Sequence, residues 1–283
     1  MTTGRDDKPL IPETTYNVPV KDGLLAYRDH GRGECILLLH AGIADSRMWL
    51  PQIGALTKTF RLIMPDLRGF GASLLPDSRF SHVEDLYALC EMLDVGPVVL
   101  VGASFGARIA FEFTRAHPEL VKSLVLSAPV LRDFEPEGIL VEFNTAEDRL
   151  LDAGEIEAVT ELNLRTWLDG PFRQPNEVEP VLRSSIAEMQ RLAFSIPVPE
   201  NVELSWPASP ANPAGDELKC PILVIVGALD HPQVLNHARE LSGRLPAAHL
   251  QIVPGTGHLP SSEEPAIFNQ LLLDFLSAAR TQT

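Results

Sequence analysis

A serine hydroxyl becomes a nucleophile only when a base takes its proton and a third group holds that base in place. Ser104 stands in Gly102-Ala103-Ser104-Phe105-Gly106, a GxSxG pattern. The pattern by itself is weak, and its context strengthens it. The apolar run Val98 to Val101 precedes it, and Ala107, Ile109, Ala110, Phe111 and Phe113 follow with helical spacing. That is the strand–turn–helix setting of a nucleophile elbow. So tight a turn leaves room only for hydrogen at Gly102 and Gly106. It also holds the serine in a strained conformation with its hydroxyl outward.

The base expected for Ser104 is His258, in the Gly-rich segment PGTGHLPSSEEP after the last predicted strand. His30, His40, His82, His117, His231, His237 and His249 read mostly as surface or strand-end residues. Among them His231 is the rival, because it adjoins the expected acid. That acid is Asp230, which ends ILVIVGALD just past a buried strand. It would hold the tautomer of His258 and stabilise the imidazolium. Asp133, after the strand containing Leu126, is the alternative. Charge developing on a carbonyl oxygen needs two backbone N–H donors. Phe105 directly follows the nucleophile, and Gly42 lies in HAGIADSRMW, the loop after the strand at Cys35 to His40.

These residues need a scaffold that brings distant loops to one edge. Tyr16 to Val20 and Leu24 to Asp29 flank a Lys-Asp-Gly turn and read as a hairpin. Cys35 to His40, Arg61 to Pro65, Val98 to Val101 and Ser123 to Leu126 are continuous apolar runs, as expected of strands covered on both faces. Helical patterns lie between them. One spans Val83 to Leu93, with Ser81 as N-cap and Glu84 as its capping-box partner. Near the end, Ile222 to Val226 and His249 to Val253 read as strands, and Val234 to Leu245 and Pro265 to Ala279 as helices. The alternation predicts an α/β fold with a doubly wound, mostly parallel sheet.

Residues 132–217 break that rhythm. Helical stretches at Thr145 to Leu151, Glu155 to Leu168 and Val181 to Phe194 carry many Glu and Arg, and a proline-rich stretch follows. We read this segment as an inserted helical cap, or lid, on a core made of residues 1–131 and 218–283. The cap is expected to set substrate choice and to contribute little to the chemical step. Its aromatics Phe143, Trp167, Phe172, Phe194 and Trp206 either line a pocket or pack, with Trp167 and Phe143 taken as pocket candidates.

With 283 residues and 45% hydrophobic content, the chain has ample material for a core. Its net charge of −15 disfavours nucleic acid and anionic membrane as partners. No apolar run approaches the roughly 18 residues that span a bilayer. The N-terminal MTTGRDDKPLIPETT has no apolar core and reads as a disordered lead-in, which points to the cytoplasm. Cys35, Cys90 and Cys220 are scattered and read as small core residues.

Taken together, the segments resemble the α/β-hydrolase superfamily over nearly the whole chain. LLLHAGIADSRMW is similar to the family's HG-x-x-x-S-x-x-x-W loop, with Ala41 and Asp45 at the Gly and Ser positions. PDLRGFGAS resembles its D-x-R-G-x-G-x-S turn, and GHLPSSEEPAIF its histidine segment. The resemblance implies an eight-stranded sheet and the chain order Ser, Asp, His. It implies that His40, Asp66 and Arg68 are structural. It points to the branch of small esterases, enol-lactonases and haloperoxidase-like proteins. The expectation is hydrolysis of a small-molecule carboxylic ester or lactone through an acyl-enzyme, with no metal or organic cofactor. Carbon–carbon-bond hydrolysis of a diketone and a receptor-like binding protein on the same fold are the alternatives.

Overall fold

The structure, a computed structural model, describes residues 14–207 and 218–280. All but the last two residues of the N-terminal lead-in, and the end of the proline-rich stretch, lie outside them. In chain order the strands are β1 (Tyr16–Val20), β2 (Gly23–Gly31), β3 (Glu34–Leu39), β4 (Phe60–Pro65), β5 (Arg79–Phe80), β6 (Val98–Ala103), β7 (Val121–Ser127), β8 (Glu203–Leu204), β9 (Ile222–Gly227) and β10 (Ala248–Val253). The α-helices are α1 (Leu50–Leu56), α2 (His82–Met92), α3 (Phe105–Ala116), α4 (Ile139–Asp152), α5 (Ile156–Asn163), α6 (Pro180–Ser195), α7 (Pro232–Arg244), α8 (Pro260–Glu263) and α9 (Pro265–Arg280).

Among the described residues, eight strands form one sheet in the order β1-β2-β4-β3-β6-β7-β9-β10. Strands from β4 across to β10 are parallel to their neighbours, and β2 runs antiparallel to β1 and β4. This is the doubly wound, mostly parallel sheet expected from the alternating signals. The apolar runs are continuous because both sheet faces are covered. Leu37, Leu100, Leu126 and Val224 face α2, α3 and α7. Ile36, Leu38, Val99, Val125 and Ile225 face α1 and α9.

One local reading needs correction, and one element had no signal. Ser81 precedes α2, but its side chain makes no cap bond, and its hydroxyl is buried without a partner. The expected capping box with Glu84 is absent because Phe80 is held as a strand against β8 (Ser205 N–H donates to the Phe80 carbonyl, 2.8 Å), which turns Ser81 inward. β8 itself carried no signal, since both of its residues are exposed and no apolar alternation marks it.

Between β7 and β9 the chain forms α4, α5, a π-helix at Leu164–Asp169 and α6 before reaching β8. Leu164, Leu168, Ile186 and Met189 from this stretch join the core that covers the second sheet face. No described helix is long and apolar enough to cross a membrane. The three cysteines are free, with Cys35 and Cys90 buried.

Candidate active site

Ser104 sits between β6 and α3 with φ +50° and ψ −110°, a left-handed region that a side-chain-bearing residue occupies only under strain. The crossing of chains around it is tight. A Cβ on Gly102 would lie 2.3 Å from the Gly106 carbonyl oxygen, and one on Gly106 would lie 2.4 Å from that of Leu39. Neither position accepts any side chain, which explains the two glycines of the pattern.

His258 lies in the turn between β10 and α8. Its Nε2 is 2.8 Å from Ser104 Oγ, and its Nδ1 is 2.9 and 3.0 Å from the two oxygens of Asp230. Asp230 accepts at Nδ1, so the proton resides there and Nε2 offers a lone pair to the serine hydroxyl. Both side chains are buried, which keeps this pair out of competing water. The two loops meet because β9 and the His258 turn touch at Gly227. A Cβ there would lie 2.0 Å from the Gly257 carbonyl oxygen. Leu229 N–H also donates to the Thr256 carbonyl at 2.8 Å. Glu263 then accepts from the N–H groups of Gly257 and Leu259 on either side of His258 and pairs with Arg173.

The rivals stand elsewhere. Asp133 pairs with Arg244 on α7 at 2.7 Å. His231 caps α7, with its Nδ1 accepting from Gln233 N–H, and burial lowers its pKa.

The loop after β3 carries Gly42, the second N–H donor expected from the sequence. The Ala41 carbonyl accepts from His40 Nδ1 at 2.8 Å and from Ala44 N–H at 3.1 Å. In a planar trans peptide the following N–H points the opposite way, so Gly42 N–H is turned from the loop interior toward the cavity. The Ala41 N–H is excluded as a donor, because it is bonded to Met48 Sδ. On the other side, the Ser104 carbonyl accepts from Ala107 and Arg108 N–H, which aims Phe105 N–H back out of the helix start. Neither the Gly42 nor the Phe105 N–H bonds to another described residue. His40 is fully buried, accepts from Leu67 N–H at Nε2, and has its pKa lowered by burial. Asp66 accepts from Ser46 and Ala72 N–H, and Arg68 pairs with Asp85 at 2.7 Å, so both brace the loops.

A cavity of about 570 Å³ opens above Ser104 and His258. Ala41, Gly42 and Phe105 form its floor, and Phe143, Trp167 and Phe194 are on its walls. The Trp167 ring lies 4.8 Å from that of His258, and Phe143 meets Trp167 edge-on at 5.5 Å. Of the other aromatics, Phe172 is exposed. Trp206 packs on Phe105 and under the Arg108 guanidinium.

Several wall residues have no signature in the sequence. His82, read as a surface or strand-end residue, is 3% exposed and packs edge-on against Phe80 and Phe105. Burial drives its pKa down to about 3. Gln190 of α6 is buried, with its amide nitrogen turned to donate to the carbonyls of Gly42 (3.3 Å) and Ile43 (3.2 Å). Beside it, Met189 Sδ accepts from Asp45 N–H and Glu188 pairs with Arg47. Helix α6 thus clamps the loop that carries Gly42. Glu147 of α4 and Asn163 at the end of α5 also line the cavity.

Comparison with known proteins agrees with this architecture. The family model described as alpha/beta hydrolase fold matches residues 34–265. The chain is 31% identical to the Mycobacterium tuberculosis protein named non-heme bromoperoxidase BpoC, over 90% of this chain and 98% of that one. It is 28% identical to 2-hydroxy-6-oxo-6-phenylhexa-2,4-dienoate hydrolase of Burkholderia cepacia, over 90% and 93%. Its fold superposes on the enol-lactonase of Burkholderia xenovorans LB400 with a TM-score of 0.75, at 21% identity over 93% of this chain and all of that one.

Proposed function

The chain belongs to the α/β hydrolase fold family and is a hydrolase, and on that premise we propose that it cleaves a small-molecule carboxylic ester or lactone through an acyl-enzyme. The observation that carries this is the continuous line Ser104 Oγ, His258 Nε2, His258 Nδ1, Asp230 at 2.8 and 2.9 Å. His258 takes the Ser104 proton as Oγ attacks the carbonyl carbon, and Asp230 stabilises the imidazolium. The N–H groups of Gly42 and Phe105 receive the oxyanion. His258 then protonates the leaving alkoxide, and water, deprotonated by the same imidazole, releases the acid and restores Ser104. Of the segment 132–217, helices α4, α5 and α6 act as a lid over this centre, with Trp167 and Phe143 against the bound acyl or alcohol group.

The relative from Burkholderia cepacia is named as the hydrolase of a dienoate, which is a carboxylate. A carboxylate in this cavity would need a cation. Among the described residues the one Lys or Arg on its wall is Arg68, whose guanidinium is held by Asp85 and the Lys21 carbonyl. Its remaining Nη1 is buried beside Gly23 and does not open on the cavity. This supports a neutral or cationic ester or lactone over an anionic diketone.

A fluorophosphonate probe followed by peptide mass spectrometry tests the reading. The expected result is a single phosphonylated residue, Ser104, with loss of ester turnover in proportion to labelling. Labelling of another serine in active protein would overturn the assignment.

A further inference from the structure

The lid wall is built from two rungs. On α4, Phe143 and Glu147 are one helical turn apart, and across from them Trp167 and Asn163 are likewise separated by four positions. The rungs pair in antiparallel fashion. Phe143 meets Trp167 at 5.5 Å, and Glu147 Oε1 accepts from Asn163 Nδ2 at 2.7 Å. The aromatic rung lies against His258. The polar rung is displaced from the aromatic one by about one turn, ~6 Å along the helix, and all four residues line the cavity above Ser104.

The polar rung has an unusual hydrogen-bonding balance. The two protons of Asn163 Nδ2 are spent on Glu147 and on the Val159 carbonyl at 3.0 Å. What remains is acceptor only: Glu147 Oε2 and Asn163 Oδ1. Among the described residues no further donor bonds to either oxygen, and no free cation lines the cavity to neutralise the acid. Asn163 is 3% exposed and Glu147 is half-buried, so the pair faces the cavity wall more than open solvent. Burial raises the Glu147 carboxyl above its ordinary range, and Asn163 counters that by donating to it. A charged acceptor left in a mostly apolar pocket gains most from a ligand that brings it a proton donor.

We propose that Glu147 and Asn163 form an acceptor subsite that selects esters or lactones carrying an N–H or O–H donor, an ammonium or hydroxyl group, beyond the part held by Phe143 and Trp167. This inference rests on the ester or lactone reading above. The subsite repels a terminal carboxylate and gives nothing to a methyl terminus. Substrate choice is then set by two layers of the lid, an aromatic slot for the segment next to the carbonyl and an acceptor pair for its far end.

The test compares kcat/KM for aryl esters of straight-chain acids of about four to about eight carbons, a span that covers the ~6 Å offset between the rungs. Each acid ends in methyl, hydroxyl, ammonium or carboxylate. Wild-type protein should favour the hydroxyl or ammonium terminus over methyl by on the order of tenfold at one or two chain lengths, with carboxylate the poorest throughout. Glu147→Gln should remove the preference for ammonium more than that for hydroxyl, and Glu147→Leu should bring both ratios to methyl close to one. If ammonium alone is favoured, the natural ligand is an amine; if both are, a hydroxyl suffices. Hydrolysis with no donor preference at any length overturns the inference alone, as does a preference that survives in Glu147→Leu. Failure of every ester and lactone, with Ser104 unlabelled by the phosphonate, overturns the reading beneath it as well. The wild-type profile decides the matter even if a variant does not fold.

Discussion

Replacing Asp230 by asparagine swaps one oxygen for nitrogen, yet the hydrogen bonds around it predict which oxygen and with what consequence. Asp230 Oδ1 accepts from His231 N–H at 2.7 Å. An amide nitrogen there would set donor against donor, so the asparagine oxygen keeps that place. Its NH2 then occupies the position of Oδ2, 2.9 Å from His258 Nδ1, and donates to it. With the nearer of the two contacts to Nδ1 now a donor, and the oxygen at the Oδ1 position 3.0 Å away, the balance shifts toward the tautomer with its proton on Nε2, which faces Ser104 Oγ at 2.8 Å. The serine loses its base, and the imidazolium loses its counter-charge. The two effects together should lower kcat by about three to four orders of magnitude, or ~4–5.5 kcal/mol of barrier. Packing is unchanged, so the melting temperature should move by no more than about 4 °C. Asp133→Asn is the control: it weakens a partly exposed bridge to Arg244 and should leave kcat within about twofold. Stopped-flow and steady-state hydrolysis of an activated aryl ester, with melting curves for each variant, supply the comparison. An Asp230→Asn enzyme that keeps more than about a tenth of its kcat would refute the tautomer argument, and a reversed ranking would move the acid to Asp133.

Further outcomes follow from the same geometry. Gln190→Leu removes the donor that holds the Gly42 and Ile43 carbonyls and should reduce kcat about ten- to a hundredfold with a smaller change in KM. Unchanged kcat would mean that α6 does not hold the Gly42 loop in place for the reaction. Trp167→Ala should alter discrimination between short and long acyl esters by about 1–3 kcal/mol, whereas equal scaling of every ester would make Trp167 a packing residue only. His82 has its pKa lowered to about 3 in the fold by burial. The unfolded chain takes up a proton there as pH falls through about 6.5, and the folded chain does not. Stability is therefore complete above about pH 6.5 and declines from there toward pH 3, by up to about 1.4 kcal/mol per pH unit for this group. Melting temperatures between pH 8 and pH 5 should fall accordingly, with a shallower fall in His82→Phe; a flat profile would contradict the burial. Burial also raises Cys35 and Cys90 to about 12 and Cys220 to about 11. Iodoacetamide at pH 8 should therefore leave the native protein unmodified and active, and rapid alkylation of any of the three would show that its burial is broken.

The parts of the fold legible in the sequence are those whose physics is local. A strand covered on both faces must be apolar at every position, so CILLLH, VVLV and ILVIV announced β3, β6 and β9. Gly102 and Gly106 marked the elbow because no side chain fits there, and Asp230 and His258 followed from polar residues placed just past buried strands. Because Asp133 also follows a buried strand, it was the tertiary structure that placed Asp230, the expected acid, and not Asp133 against His258. It likewise separated His258 from His231. Glu147, Asn163, Gln190, Glu263 and Arg173 were not legible, because each lies in a polar helix or loop whose pattern is that of a solvated surface. What makes them part of the site is a partner distant in the chain, Gly42 for Gln190 and Glu263 for Arg173. Hydrophobic periodicity reports which side of an element faces the core. It carries no record of which polar group that side will meet once α4 to α6 pack above the sheet, and there the sequence ceases to specify the site without the structure.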